Sequence, residues 1–170
     1  LLGATVHQLP GADRAEREAA IAGVVGVLRA SGRRPYVIPV GGSGLPGAAG
    51  QVLSAGELLG QALSAGAMPD ALLLPSATGG TQAGLLAGLR SAGSRAAVVG
   101  VLVAHPAADL RPAIEATLAA LRPLTGVTVQ ADEIILDADQ LGAGYGVRTE
   151  AAEAAAALLA RTEGVLVDPI

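Results

Sequence analysis

Two hydroxyls bracket a pair of glycines at Thr78-Gly79-Gly80-Thr81. A short apolar run, Ala71 to Leu74, precedes them as a buried strand that Pro75 and Ser76 are expected to stop. Leu85, Leu86 and Leu89 follow with a helical period. The glycines therefore sit between a strand's C-terminal end and a helix N-terminus. Unpaired N–H groups and the positive end of the helix dipole converge there and can receive a phosphate, and the hydroxyls add hydrogen bonds. No Lys follows, so the pattern is not a triphosphate P-loop. A plain strand–turn–helix corner, with Gly for the turn and Thr for the cap, has the same spacing.

Three further patterns could do chemistry. Leu141-Gly-Ala-Gly-Tyr-Gly-Val147 surrounds Tyr145 with glycines. Its phenol can contact a ligand, and a turn with Tyr145 packed on its own loop fits equally well. Gly42, Gly44 and Gly47 match Gly-x-Gly-x-x-Gly. A dinucleotide site also wants an acid at the end of the following strand, and that strand ends in Pro75-Ser76, so an oxidoreductase is disfavoured. Asp132, Glu133, Asp137 and Asp139 cluster, but the twelfth residue counted from Asp137 is Arg148, not the Glu of a calcium loop. They read as loop and capping carboxylates, and His105 as a solvated turn residue.

Composition narrows the frame. The chain has 170 residues, 51% apolar, with two Tyr and no Phe or Trp. Its core must be Leu, Val, Ile and Ala, which suits parallel strands under Ala-rich helices. A net charge of −4 without a basic run argues against nucleic acid. No Cys and two separated His argue against disulfides and zinc. No apolar run approaches the roughly 18 residues that span a bilayer, and no signal-peptide pattern is visible. All eleven basic residues are Arg, so the chain has no Lys. It opens on Leu-Leu and stops in an apolar run at Asp168-Pro169-Ile170, as a piece of something longer would.

The elements that must position these groups alternate. Strands are predicted at Leu1–Gln8, Tyr36–Val40, Ala71–Leu74, Ala96–Ala104, Val127–Val129, Glu133–Leu136 and Val165–Val167. The apolar run from Ala96 marks a central strand. Helices are predicted over Asp13–Ala30, with Ile21, Val24, Val25 and Leu28 as its stripe, and over Pro46–Ala65, with Val52, Leu53, Leu58, Leu59 and Leu63 as core. Met68 reads as ordinary packing. Further helices follow the glycine turn and span Leu110–Leu121 and Glu150–Thr162, the last capped by Thr149. The expected class is α/β, a parallel sheet with helices on both faces.

Four stretches carry a resemblance. They are Arg34-Pro-Tyr-Val-Ile-Pro-Val-Gly-Gly-Ser43, Leu74-Pro-Ser-Ala-Thr-Gly-Gly-Thr-Gln-Ala-Gly-Leu85, Leu141-Gly-Ala-Gly-Tyr-Gly-Val147 and Ala160-Arg-Thr-Glu-Gly-Val-Leu-Val-Asp-Pro169. In order and spacing the chain resembles the family of D-cysteine desulfhydrase and 1-aminocyclopropane-1-carboxylate deaminase. These enzymes use pyridoxal 5'-phosphate and have a two-domain fold of the tryptophan synthase β type. Gly44, Pro46 and Gln51 depart from the usual pattern.

The resemblance implies that residues 1–40 are the later part of the small domain and 41–170 most of the large cofactor-binding domain. The glycine joint between them would lie in or beside the cleft. Ala77, Thr78, Gly79, Gly80 and Thr81 would hold the cofactor phosphate. Tyr145 would be the active-site tyrosine whose phenol faces the substrate, a small amino acid. The family's covalent anchor is a Lys, with a Ser and an Asn close by, in a stretch preceding Leu1. A second tyrosine and the partner of the pyridine nitrogen would follow Ile170. The implied whole protein is a cytoplasmic homodimer, most simply a desulfhydrase that takes D-cysteine to pyruvate, sulfide and ammonia. The cyclopropane deaminase is the alternative within the family, and a lysine-free phosphate-binding module the alternative outside it. Without Lys, the 170 residues alone are expected to be inactive.

Overall fold

The computed structural model describes residues 3–9 and 13–168. Contacts divide the chain into two units, Leu1–Ile38 and Pro39–Ile170.

The first unit is built on α1 (Arg14–Ala30). Asp13 accepts from the Glu16 N–H at 2.8 Å while Glu16 accepts from the Asp13 N–H at 2.9 Å, a reciprocal cap that fixes the helix start. Val25 and Leu28 of the expected stripe are half-buried, whereas Ile21 and Val24 stay exposed. Residues 3–9 form no strand, and Leu1, Leu2 and the Pro10-Gly11 stop lie outside the described residues. Tyr36–Val40 is not a strand either: it is irregular and Val40 opens a single 3₁₀ turn, Val40–Gly42. An apolar run becomes a strand only when a neighbour pairs its N–H and C=O groups, and the described residues supply no such neighbour.

In the second unit, β1 (Ala71–Ser76), β2 (Ala97–Leu102) and β3 (Ile135–Asp137) form a parallel sheet in that order. Ser76 stands opposite Leu102, and Val101 opposite Asp137. β2 is central, as its apolar run predicts. β1 runs through Pro75 and Ser76 rather than stopping before them, because an edge strand can spare the N–H that proline lacks. Val127–Val129 and Val165–Val167 form no strands, and Pro169 and Ile170 lie outside the described residues.

The connections are α3 (Gly80–Ser91) from β1 to β2 and α4 (Ala107–Thr125) from β2 to β3. Both step the same way across the sheet, so right-handed crossovers place them on one face. Leu86 and Leu89 of α3, Ile114 and Leu121 of α4, and Val98 and Leu102 of β2 are fully buried there. On the opposite face Leu73 is 72% exposed, and Ile135 is exposed as well. The α/β class and the parallel sheet stand as expected, and of the two faces expected to carry helices the described residues cover one.

α2 (Leu45–Ala65) packs along α3 through small residues. A Cβ on Gly84 would lie 2.3 Å from the Ala48 carbonyl oxygen, and one on Gly88 2.7 Å from the Ala55 Cβ. Contacts advance together along both helices, from Ser43 against Gly80 to Ala55 against Gly88, so α2 and α3 are parallel. This seam corrects the predicted core of α2. Ala48 and Ala55 are buried, Val52 and Leu59 half-buried, and Leu53 and Leu63 point outward, 76% and 73% exposed. Met68 is also exposed. Finally, α5 (Glu150–Glu163) starts where Thr149 accepts from the Ala152 N–H at 3.1 Å.

Candidate functional site

Three loops leave the C-terminal edge of the parallel sheet: 77–79 after β1, 103–106 after β2 and 138–149 after β3. Ligands of open α/β sheets bind at this edge. The opposite edge carries a cleft of about 290 Å³ bordered by Glu115, Leu118, Arg122, Val127, Val129 and Ile134, away from every glycine motif.

The first loop forms a cup. Gly79 has φ +79°, a left-handed conformation that turns the chain from β1 into α3, and it stands at the N-cap position with no side-chain cap. The first backbone bond of the helix runs from the Ala83 N–H to the Gly79 carbonyl at 2.9 Å. The N–H groups of Gly80, Thr81 and Gln82 precede that bond and have no partner within the helix. A Cβ on Gly79 would lie 2.5 Å from the Ile114 side chain, so α4 backs the turn directly. Ala77 and Thr78 are half-buried, Gly79 and Gly80 buried, and Thr81 exposed at the first turn.

A second helix N-terminus meets the first. α2 starts at Gly44, also without a side-chain cap. Just before it, the Ser43 hydroxyl donates to Thr78 Oγ1. Of the two hydroxyl protons one closes this bond and the other is left for a further acceptor. Gly41 closes the other flank, where a Cβ would lie 2.6 Å from Thr78 Oγ1. Two positive helix ends, three helix-start N–H groups and the Thr78 hydroxyl thus meet at this turn, with Thr81 exposed one residue into α3. That arrangement suits a compact anion, phosphate above all.

Behind the cup lies Gln82, fully buried. Its Oε1 accepts from the Ser76 hydroxyl at 3.0 Å, and its Nε2 donates to the Ile135 carbonyl at 2.8 Å and the Val98 carbonyl at 3.3 Å. One side chain thereby ties the first turn of α3 to all three strands. A Cβ on Gly100 would lie 2.0 Å from Gln82 Oε1, so β2 needs glycine where the amide crosses it. The local sequence pattern marks neither Gln82 nor Ser43 as a site residue. A signal for Gln82 was present: an isolated glycine in the run Val99-Gly100-Val101 marks a close approach.

Tyr145 sits in the loop after β3, the strand two places from β1 in the sheet. Its side chain is 63% exposed, and among the described residues no hydrogen bond joins its phenol to the cup. His105 is an exposed residue after β2. The acidic residues do local work. Asp137 Oδ1 accepts from the Asp139 N–H at 2.9 Å, and Glu133 pairs with Arg90. The Arg90 guanidinium, followed by the Gln130 N–H at 2.8 Å, holds the Glu133 carboxyl below the usual carboxylate range.

Comparison with known proteins identifies the family. The sequence profile of the pyridoxal-phosphate dependent enzymes matches residues 1–170. A D-cysteine desulfhydrase of Klebsiella pneumoniae subsp. pneumoniae is 41% identical over 143 residues, 84% of this chain and 43% of that protein. The desulfhydrase of Salmonella typhi is 38% identical over the same shares. A crystal structure described as an ACC deaminase homologue superimposes with a TM-score of 0.80 at 26% identity, covering 95% of this chain and 48% of its own. The chain therefore spans less than half the length of these relatives. By its fold, its sequence profile and these relatives, the chain belongs to the pyridoxal-phosphate dependent enzyme family.

Proposed function

We propose that this chain is the phosphate-holding part of a lyase or deaminase that takes sulfide or ammonia from a small amino acid. D-cysteine is the preferred substrate, giving pyruvate, sulfide and ammonia with uptake of water. The observation that carries this reading is the double helix start at Ala77–Thr81, lying at the ligand edge of the sheet in a chain of this family. Thr78, Thr81 and the N–H groups of Gly80, Thr81 and Gln82 would hold the phosphate, with Ala77 and Gly79 shaping the turn. When bound, pyridoxal phosphate supplies an electron-withdrawing ring that stabilises negative charge beside the substrate's amino-bearing carbon. Tyr145 is the candidate to hold or move a proton, from a loop at the same edge of the sheet. Residues 1–40 would be the later part of the small domain and 41–170 most of the large one. The whole protein would be a cytoplasmic homodimer, with no nucleic-acid partner.

D-cysteine is preferred because the desulfhydrases are close to 40% identical over most of the chain. The resemblance in fold to the ACC deaminase homologue favours 1-aminocyclopropane-1-carboxylate as the second substrate to try. This chain has no Lys to anchor the cofactor covalently, so we infer that the 170 residues alone are inactive. The test is release of pyruvate and sulfide from D-cysteine by the intact protein and by the isolated chain. Activity of the intact protein alone is expected. Turnover by the isolated chain would refute its inactivity, and an intact protein inert towards both amino acids would refute the substrate class.

A further inference from the structure

We propose that Gln82 is the positioning residue of the phosphate cup, setting the direction of its N–H groups through the three strands. The inference rests on the phosphate reading of Ala77–Thr81 and extends it to a residue that touches no ligand through its side chain. Gln82 is the third residue of α3, so its N–H is among those that precede the first intrahelical bond. Its side chain points the other way, into the sheet. Ile114 packs against the glycine turn, but Gly79 provides no side-chain cap, so no local hydrogen bond orients the helix start. The restraint comes instead from the Gln82 amide, which takes one bond from β1 and gives one each to β2 and β3.

The geometry admits one orientation of that amide. Oε1 faces a hydroxyl donor and Nε2 faces two carbonyls; reversing it would set oxygen against oxygen and lose the donors. Gly100 below it leaves no slack, since even a methyl there would overlap Oε1. The amide is thus fixed on four sides while the N–H of the same residue faces the cup. A Leu or Met would fill the volume and give the same helix, but no hydrogen bond would then tie its first turn to the three strands, and packing alone would set its tilt. A phosphate needs its donors converging at hydrogen-bond distance, so tilt is what its affinity depends on.

The test uses the intact protein and two probes, pyridoxal phosphate and pyridoxal, which lacks the phosphate. The unaltered protein should bind pyridoxal phosphate much more tightly. Equal affinities would sink the cup itself, independently of Gln82. Gln82→Met should lower the affinity for pyridoxal phosphate by about tenfold or more, the scale of a lost buried hydrogen-bond set. Pyridoxal affinity should stay within about twofold, and the phosphorus resonance of the bound cofactor should shift and broaden as its donors lose alignment. A folded Gln82→Met protein in which both affinities fall together, or neither changes, would overturn the proposal. Should that variant fail to fold, Ser76→Ala decides, because it removes only the donor to Oε1. A selective loss of about threefold for pyridoxal phosphate is expected there, as one buried bond is removed, and no selective loss would overturn the proposal.

Discussion

Gly84 and Gly60 lie in neighbouring helices, and the same substitution at each should have opposite effects. Gly60, in the interior of α2, has open space where a Cβ would go. Gly60→Ala should stabilise by about 0.5–1 kcal/mol, because alanine restricts the unfolded chain and favours helix. Gly84→Ala gains the same helix preference and meets a different surroundings. Its Cβ would lie 2.3 Å from the Ala48 carbonyl oxygen and 2.5 Å from the Gln51 Cβ. The first distance is about 1 Å short of ordinary contact, and its partner is backbone, which no rotamer can move aside. α2 must shift off α3 along a seam that buries Ala48 and Ala55. Overpacking of this kind costs about 1–3 kcal/mol, so after the helix gain the net loss should be about 1–2 kcal/mol. Urea unfolding of the two variants of the intact protein, read as midpoint and slope, measures both effects. Equal stability of the two variants would refute the close parallel packing.

Two other perturbations test other parts of the molecule. The carboxyl of Glu133 is held below its ordinary range, so its ion pair stabilises fully above the unfolded pKa and is lost as pH falls through the folded one. Glu133→Gln should therefore destabilise at neutral pH and flatten the acid limb of a stability–pH curve, and an unchanged acid limb would contradict the pairing. Tyr145→Phe removes a mostly exposed phenol, so unfolding should move by less than about 0.5 kcal/mol. Turnover of D-cysteine by the intact protein should nonetheless fall at least about tenfold if the phenol handles a proton, and unchanged turnover would remove Tyr145 from the site.

Periodicity made the helices legible, and the continuous apolar run from Ala96 correctly marked a central strand. What pattern could not show was pairing and proximity. Tyr36–Val40 and Val165–Val167 have strand composition, but a strand is a property of two segments, and no described neighbour pairs with either. Leu53 and Leu63 have helical spacing, yet α2 turns its alanines inward because two glycines let α3 approach; hydrophobic size misled where smallness was the signal. The site divides the same way. Thr78 to Thr81 announce a turn before a helix, a local feature. Ser43 and Gln82 act through residues 35 and 53 positions away, a reach that spacing along the chain does not encode.

The parallel seam has an electrical consequence. Side by side, α2 and α3 hold two positive ends together, each equivalent to about half a charge. At roughly 8 Å and an effective dielectric near 20, two such ends repel by about 0.5 kcal/mol. A bound anion reverses the sign of that arrangement and neutralises both ends at once, so the pair is least at ease when empty. The relief grows with the ligand's charge. A phosphate monoester carries its second charge only above a pH of about 6. The two helices should favour that dianion, drawing its last proton off at a lower pH than water does, so that the junction selects its occupant by valence as well as by shape.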